Sequence, residues 1–320
     1  MAEVSVVYVT HRPLPRFDWF ADSLAGQLEG DDPEVIFVDG LHSSERTTLV
    51  GRVVDERFAH RHVPAKPTPW NGPQRLTRRD YFAAASARNT GIVYAKSPYV
   101  VFVDDCSVLM PDWWQEVRAA ARHGYVVAGA YRYHHDVVVE KGILVSSVPD
   151  WSGLDTRWKQ GEEGLVEIGG GNLFGCSFGA PRQLLLEANG FDELADPIGG
   201  EDYQLGIRLE WLGARIFYSR RMLTVESADV VHGPSPVRLG RHTDPAAYME
   251  RLREYGVGHR STDGDWDNSH MVLDLTYGTR STRSLANYYD LATLDEADLE
   301  GTVARFPHEY WFDHTPLAEL

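Results

Sequence analysis

The chain opens on alternating blocks of short apolar runs and helically spaced apolar residues. Val4, Ser5, Val6, Val7, Tyr8, Val9 and Thr10 form a short, β-branched run, the pattern of a buried strand. His11-Arg12-Pro13 breaks it, and Phe17, Phe20, Leu24 and Leu28 then recur at helical spacing. Residues 35–38 predict a second strand ending at Asp39-Gly40, while the polar, Pro-rich stretch 42–73 reads as an irregular excursion. A helix is expected over about 80–95, a third buried strand over 99–103 ending in Asp104-Asp105, and a helix over 111–122 with Pro111 in its first turn.

Beyond Gly124 the pattern changes. The stretch to about 167 reads as loops and hairpin-like strands, and Gly169-Gly170-Gly171-Asn172 as a flexible turn. A short helix is expected over 181–189, stopped by Gly190, and another from Gly199-Gly200-Glu201-Asp202 to Leu212, stopped by Gly213. Ala228 to Val231 looks strand-like. Helical patches around 246–255 and 285–299 define a C-terminal extension, 236–320, appended to a domain over 1–235. Strands alternating with helices predict an α/β fold, a mostly parallel sheet flanked by helices on both faces. In such sheets ligands sit beyond the carboxyl ends of the strands, where Thr10, Asp39, Asp104 and Asp105 all fall.

Composition narrows the partners. The net charge of −16 disfavours nucleic acid and anionic membranes over most of the surface. Two arginine clusters, Arg75, Arg78 and Arg79 and then Arg238 and Arg241, leave room for a local basic strip. No apolar run approaches the roughly 18 residues of a membrane span, and the N-terminus lacks a signal-peptide layout, so a cytoplasmic location is expected. Cys106 and Cys176 form neither a metal spacing nor a disulfide scaffold.

Adjacent acids at a strand end suit a hard divalent cation such as Mg²⁺ or Mn²⁺, which takes carboxylate and phosphate oxygens and stabilises a departing negative charge. Asp202 sits at an expected helix start, where the helix dipole favours a carboxylate and Glu201 can raise its proton affinity. Adjacent histidines, His134 and His135, would point to opposite faces of a strand. Trp151 and Trp158, in a Gly-containing stretch, are candidates to stack on a sugar.

Six motifs, in order, carry a family resemblance. Val9-Thr10-His11-Arg12 and Phe37-Val38-Asp39-Gly40 come first, then Ala87-Arg88-Asn89-Thr90-Gly91-Ile92 running on to Phe102-Val103-Asp104-Asp105. Pro111-Asp112-Trp113 follows, then Asn172 through Phe178 with Asn189-Gly190-Phe191-Asp192-Glu193, and last Gly199-Gly200-Glu201-Asp202 with Arg208. Over about 4–235 the chain resembles glycosyltransferase family 2, inverting enzymes of the Rossmann-like GT-A fold that use nucleotide sugars.

The resemblance implies a donor half over about 1–125 and an acceptor half over about 126–235. Thr10, Arg12 and Asp39 would line the nucleobase and ribose pocket, with Arg88 ordering the donor site. Asp104 and Asp105 would supply the ribose and metal contacts of an Asp-x-Asp motif, with His232 as a further metal ligand. Asp202, beside Glu201, would be the general base, and Asn172, Gly200 and Trp151 would face the acceptor. The donor implied is a nucleotide sugar, UDP-linked by preference. The acceptor is left open among glycan, lipid, small molecule, protein and modified DNA base. One departure stands out: the third Asp-x-Asp position is Cys106, a poor ligand for Mg²⁺ or Mn²⁺.

Two other readings compete. Gly175-Cys176-Ser177-Phe178-Gly179 matches the G-x-S-x-G nucleophile elbow of serine hydrolases, with Asp202 and His232 as partners. The other is a non-catalytic relative that binds a nucleotide sugar or glycan without turning it over.

Overall fold

The computed structural model describes residues 3–54, 57–68, 83–151, 155–160, 164–193, 196, 200–231, 282–284, 287 and 290–299. His232, the five clustered arginines, Gly199 and the expected helix over 246–255 lie outside the described residues. Strand β1 (Val4–Thr10) has all seven residues buried, as its unbroken β-branched run requires. It pairs in parallel with β2 (Glu34–Asp39) on one side and β4 (Tyr99–Asp104) on the other. Helix α1 (Phe17–Ala25) lays Phe17, Phe20 and Leu24 on one face of this sheet. Helix α3 (Ala84–Tyr94) covers the opposite face.

The stretch expected to be irregular instead holds α2 (Ser44–Val54) and the edge strand β3 (His60–Pro64), which pairs in parallel with β2. Helix α2 buries only Val50 and Val54, an i, i+4 pair too sparse to stand out from its polar neighbours. Strand β3 is an edge strand carrying His60, Arg61 and His62, a polar composition tolerated at an edge and unlike a core strand.

The sheet is mixed. Its path runs β3-β2-β1-β4-β9-β6-β10-β5, with β9 (Ser177–Pro181) antiparallel between β4 and the long β6 (Val126–Glu140). Strand β10 (Ile216–Ser227) runs parallel to β6 and antiparallel to the short β5 (Ser107–Leu109). A hairpin of β6 and β7 (Ile143–Pro149) and a short β8 (Val166–Glu167) on β10 complete the ten strands. Parallel pairing therefore holds from β3 to β4 and between β6 and β10, and the remaining pairs are antiparallel. Phe102 of β4 packs against Phe178 of β9 and Phe191, with centroids 4.9 and 5.5 Å away. That contact fastens the two parts of the sheet together.

Helix α4 (Trp113–His123) ends at Gly124 in a left-handed cap, α5 (Arg182–Glu187) follows β9 directly, and α6 is Glu201–Trp211. Residues 228–231, which look strand-like, instead form a helical turn, α7 (Ala228–Val231), after β10. Within 285–299 the described residues form a 3-10 turn at Leu291–Thr293 in place of a helix. Leu291 and Leu299 nevertheless pack into the main core, and Arg61 of β3 clasps Glu296 with two bonds of 2.8 and 2.6 Å. Among the described residues no helix is long and apolar enough to cross a membrane.

Candidate active site

The carboxyl ends of β1, β2 and β4 meet on one rim. Strand β4 stops at Asp104, whose backbone N–H donates to the Cys176 carbonyl at 3.1 Å. Asp105 then turns inward: Thr10 Oγ1 donates to its Oδ2 at 2.6 Å and Arg12 Nε to its Oδ1 at 3.0 Å. Burial raises the Asp105 pKa to about 6, against the opposing pull of Arg12 and Thr10 and with Asp104 adding to the rise. Thr10, Arg12, Asp104 and Asp105 thus lie on one rim.

Cys106 takes φ 59°, in the left-handed region. Its N–H donates to the Pro15 carbonyl at 3.0 Å, its Sγ lies 3.7 Å from the Leu14 carbonyl, and its side chain is fully buried. Burial pushes the thiol pKa well up. The residue in the third Asp-x-Asp position is a packing element of the turn after β4.

Asp39 ends β2 but is enclosed. Its Oδ1 accepts from the Leu41 N–H at 2.8 Å, and its Oδ2 meets Arg46 Nε at 2.6 Å and His62 Nε2 at 3.1 Å. Although burial favours the acid form, the His62 and Arg46 bonds hold its pKa below the ordinary carboxylate value. Arg46 and His62 come from α2 and β3, the elements hidden in the polar stretch. An arginine seven residues after Asp39 and a histidine on an alternating strand are signals too weak to single out by sequence.

Arg88, from α3, stands at the centre. Its Nη2 donates to Asp104 Oδ1 at 2.7 Å and its Nη1 to Glu201 Oε1 at 2.8 Å. The side chain is 3% exposed, and the two carboxylates outweigh the burial cost, raising its pKa further. Gly175 leaves room for it: a Cβ there would come within 2.7 Å of the guanidinium carbon and both terminal nitrogens. The Gly175 N–H in turn donates to Asp202 Oδ2 at 2.8 Å. Asp202 Oδ1 accepts from the Tyr203 N–H at 2.7 Å.

Gly200, at φ 93°, turns the chain into α6 in a left-handed conformation that favours glycine. Glu201 and Asp202 therefore occupy the first turn, beside the positive end of the helix dipole. Burial and the neighbouring Glu201 charge still raise the Asp202 pKa to about 6. The preceding glycine turn is tight rather than flexible. Gly170 and Gly206 approach so closely that a Cβ on either would lie within 2.3 Å of the other's backbone, and Glu210 Oε2 accepts the Gly170 N–H at 2.9 Å. Asn172 gives its carbonyl to Arg157 at 3.0 Å, and Trp151 is 66% exposed on the same half.

Glu226, near the end of β10, is a further acid that the sequence did not single out. It is 3% exposed, and its Oε1 has no hydrogen-bond partner. Burial and the charges of Asp104 and Asp105 push its pKa well up. Among the described residues no group of three or more His, Cys, Asp or Glu is arranged to hold a metal ion. The hard oxygen chemistry of Asp104, a quarter exposed, and Asp105 fits a divalent cation.

Ser177 lies within β9, fully buried, and its Oγ accepts the Trp113 indole N–H at 3.0 Å. A nucleophile elbow requires an exposed serine at a strand-to-helix turn. Ser177 is four residues short of that turn and out of reach of a substrate.

The family model described as "Glycosyl transferase family 2" matches residues 5–180. The chain belongs to glycosyl transferase family 2. The match takes in β1 through β9 and so includes Arg88, Asp104 and Asp105. Among solved structures, S. aureus TarS 1-349 in complex with UDP-GlcNAc superposes with a TM-score of 0.53 at 15% identity, covering 87% of this chain and 71% of that one. TarS 1-349 alone gives 0.50 at 16%, covering 86% and 70%. Against the longer TarS structure the score is 0.50 at 15%, covering 93% of this chain but 45% of that one. No curated protein matches the sequence. This glycosyltransferase has the GT-A fold, a central ten-stranded sheet flanked by helices.

Proposed function

We propose that this enzyme transfers a sugar from a nucleotide-sugar donor, UDP-linked, to an acceptor hydroxyl with inversion at the anomeric carbon. Asp202 is the general base. The observation that carries this reading is the single connected array Asp104–Arg88–Glu201, with Asp202 beside it on α6 and bonded to Gly175. A donor on the strand rim and an acceptor at the head of α6 would meet there.

In the proposed step Asp202 removes the proton of the acceptor hydroxyl. The acceptor oxygen forms its bond to the anomeric carbon as the bond to the diphosphate oxygen breaks, and the nucleoside diphosphate leaves with the electron pair. A carboxylate with a pKa near 6 is ionised at neutral pH and basic enough to take that proton. Arg88 holds Asp104 and Glu201 in place, and Thr10 and Arg12 hold Asp105. Mn²⁺ or Mg²⁺ on Asp104 and Asp105, with His232 as a further ligand, would offset the charge of the departing diphosphate. Asn172, Gly200 and Trp151 are assigned to the acceptor side. The UDP preference draws support from TarS, whose superposable structure holds UDP-GlcNAc.

The test is calorimetric titration with UDP, GDP and dTDP, each with and without Mn²⁺, followed by proton NMR of the product anomer. UDP binding strengthened by Mn²⁺ and weakened in Asp105→Ala, with an inverted anomer, is the expected result. Failure of all three nucleotides to bind would overturn the reading.

A further inference from the structure

Arg157 is fully buried, and its guanidinium is committed to fixed points of the fold. Its Nε and Nη2 donate to the two oxygens of Asp155 at 2.9 Å each, and Asp155 Oδ1 also accepts the Arg157 backbone N–H at 2.9 Å. Nη2 reaches the Gly129 carbonyl on β6 at 2.8 Å, beside the point where β10 slips register between Ser219 and Leu223. Nη1 reaches the Asn172 carbonyl at 3.0 Å. The rings of Phe174 and Tyr218 lie 4.3 and 4.6 Å from the Arg157 Cζ, and the Tyr218 hydroxyl donates to Asp155 Oδ2 at 3.1 Å. The next residue, Trp158, is enclosed too. The Arg132 Cζ lies 3.8 Å and the Arg220 Cζ 4.0 Å from its ring centroid, on opposite faces. That corrects the expectation that Trp158 stacks on a sugar.

We propose that Arg157 is a positioning residue for Asp202: it fixes the loop over 172–175 so that the Gly175 N–H meets the Asp202 carboxylate. This assignment rests on Asp202 being the general base.

Gly175 is strung between two anchors. On one side Arg157 holds the Asn172 carbonyl and backs the Phe174 ring. On the other, the Asp104 N–H holds the Cys176 carbonyl at 3.1 Å. Between them the Gly175 N–H donates to Asp202 Oδ2 at 2.8 Å. Leu173, buried in the core, already secures the loop as a whole, so Arg157 acts on the orientation of the peptides that follow.

A buried ion pair is often replaceable by apolar residues at little cost in stability. The weight of the Asp155–Arg157 pair therefore lies in the two carbonyls it ties together. A planar guanidinium reaches Asp155, Gly129 and Asn172 at once, a spread that the compact ammonium of lysine does not match. Burial and Glu201 raise the Asp202 pKa, and the Arg88 charge and the Gly175 N–H draw it back down. Loosening Gly175 would weaken the last of these.

The full chain, labelled at the aspartate carboxyl carbons, is titrated by NMR without substrate from about pH 4 to about pH 8. The Asp202 signal is the one missing from Asp202→Asn, and in the wild type it should titrate near 6. Arg157→Lys keeps the charge beside Asp155 and leaves Glu201 and Arg88, the charges that face Asp202, in place. The titration should move up by about one unit, a tenfold gain in proton affinity that reports lost geometry. Tyr218→Phe, which removes only the hydroxyl on Asp155, should move it the same way by less. A purely structural Arg157 would lower the melting temperature and leave Asp202 titrating as in the wild type. That result, in every variant that folds, overturns the proposal. Release of UDP from UDP-GlcNAc, with water as acceptor, is followed on the same samples. In Arg157→Lys kcat should fall about tenfold with KM for the donor unchanged. A normal rate in Asp202→Asn would remove the base reading alone, while the shifted titration would still tie Arg157 to that carboxylate.

Discussion

Arg88 bonds Asp104 and Glu201 at once, 2.7 Å to one and 2.8 Å to the other, and so joins the end of β4 to the head of α6. The two acids come from positions 97 residues apart in the sequence and share one buried cation. Removing a buried partner leaves uncompensated charge, which costs about 3–5 kcal/mol. Arg88→Met is expected to lose stability of that order in urea unfolding at pH 7.5, and nucleotide affinity with it. Wild-type stability in this variant would mean that the pair contributes nothing to the fold.

Asp202→Asn keeps an acceptor oxygen for the Gly175 N–H while removing the basicity. Turnover should fall by about 10²- to 10⁴-fold with UDP affinity unchanged. Initial rates and calorimetry on the same sample check both halves. A variant that turns over normally would assign the base elsewhere.

The raised Asp202 pKa predicts opposite pH trends in stability and rate. Folded, the group titrates near 6, and unfolded near the ordinary value of about 4, so between these the folded state holds more protons. Its contribution to stability is present below about pH 4 and lost as pH rises through about 6. Turnover should climb through that same upper range as the base ionises. Unfolding midpoints and rates from pH 4 to 8, about the two pKa values above, should diverge in the wild type; Asp202→Asn should make the stability dependence shallower, with Asp105 keeping its own share, and should flatten the rise in rate.

Gly175→Ala places a methyl against a guanidinium that two carboxylates already hold. Overpacking of this kind costs about 1–3 kcal/mol. The variant should melt earlier and turn over more slowly than the wild type. Unchanged melting and rate would show that Arg88 has somewhere else to go.

Ser177→Ala removes the acceptor of the Trp113 indole N–H. A cost of about 1–3 kcal/mol is expected from the unsatisfied donor, with full transferase activity per folded molecule. Loss of activity in a stable variant would restore the hydrolase reading.

Much of the N-terminal part was legible because its strands announce themselves. Val4–Thr10 and Tyr99–Asp104 are unbroken apolar runs ending in polar residues, and Arg88, Asp104 and Asp202 fall in ordered motifs. What escaped was structure without periodic contrast. Helix α2 buries two side chains, β3 is a polar edge, and β9 is short and rich in small residues. The site residues hidden with them, Arg46 and His62, are visible only once Asp39 is seen enclosed. Glu226 escaped because an isolated acid in a strand looks like a solvent-facing residue until its burial is known. The hydrolase motif failed for a related reason: Ser177 points at an indole, a matter of face that a five-residue pattern does not encode.

Strand β9 runs between β4 and β6 and hydrogen-bonds to both, so the rim that carries Asp104 and the β6–β10 side of the sheet belong to one continuous plate. A plate laced along its middle resists folding about that line. On the proposed function, the span from Arg88 to Asp202 is therefore set before any substrate arrives, with no bending about β9 needed to bring donor and acceptor together. Such an enzyme would gain its alignment during folding, as a cast part gains its shape from the mould.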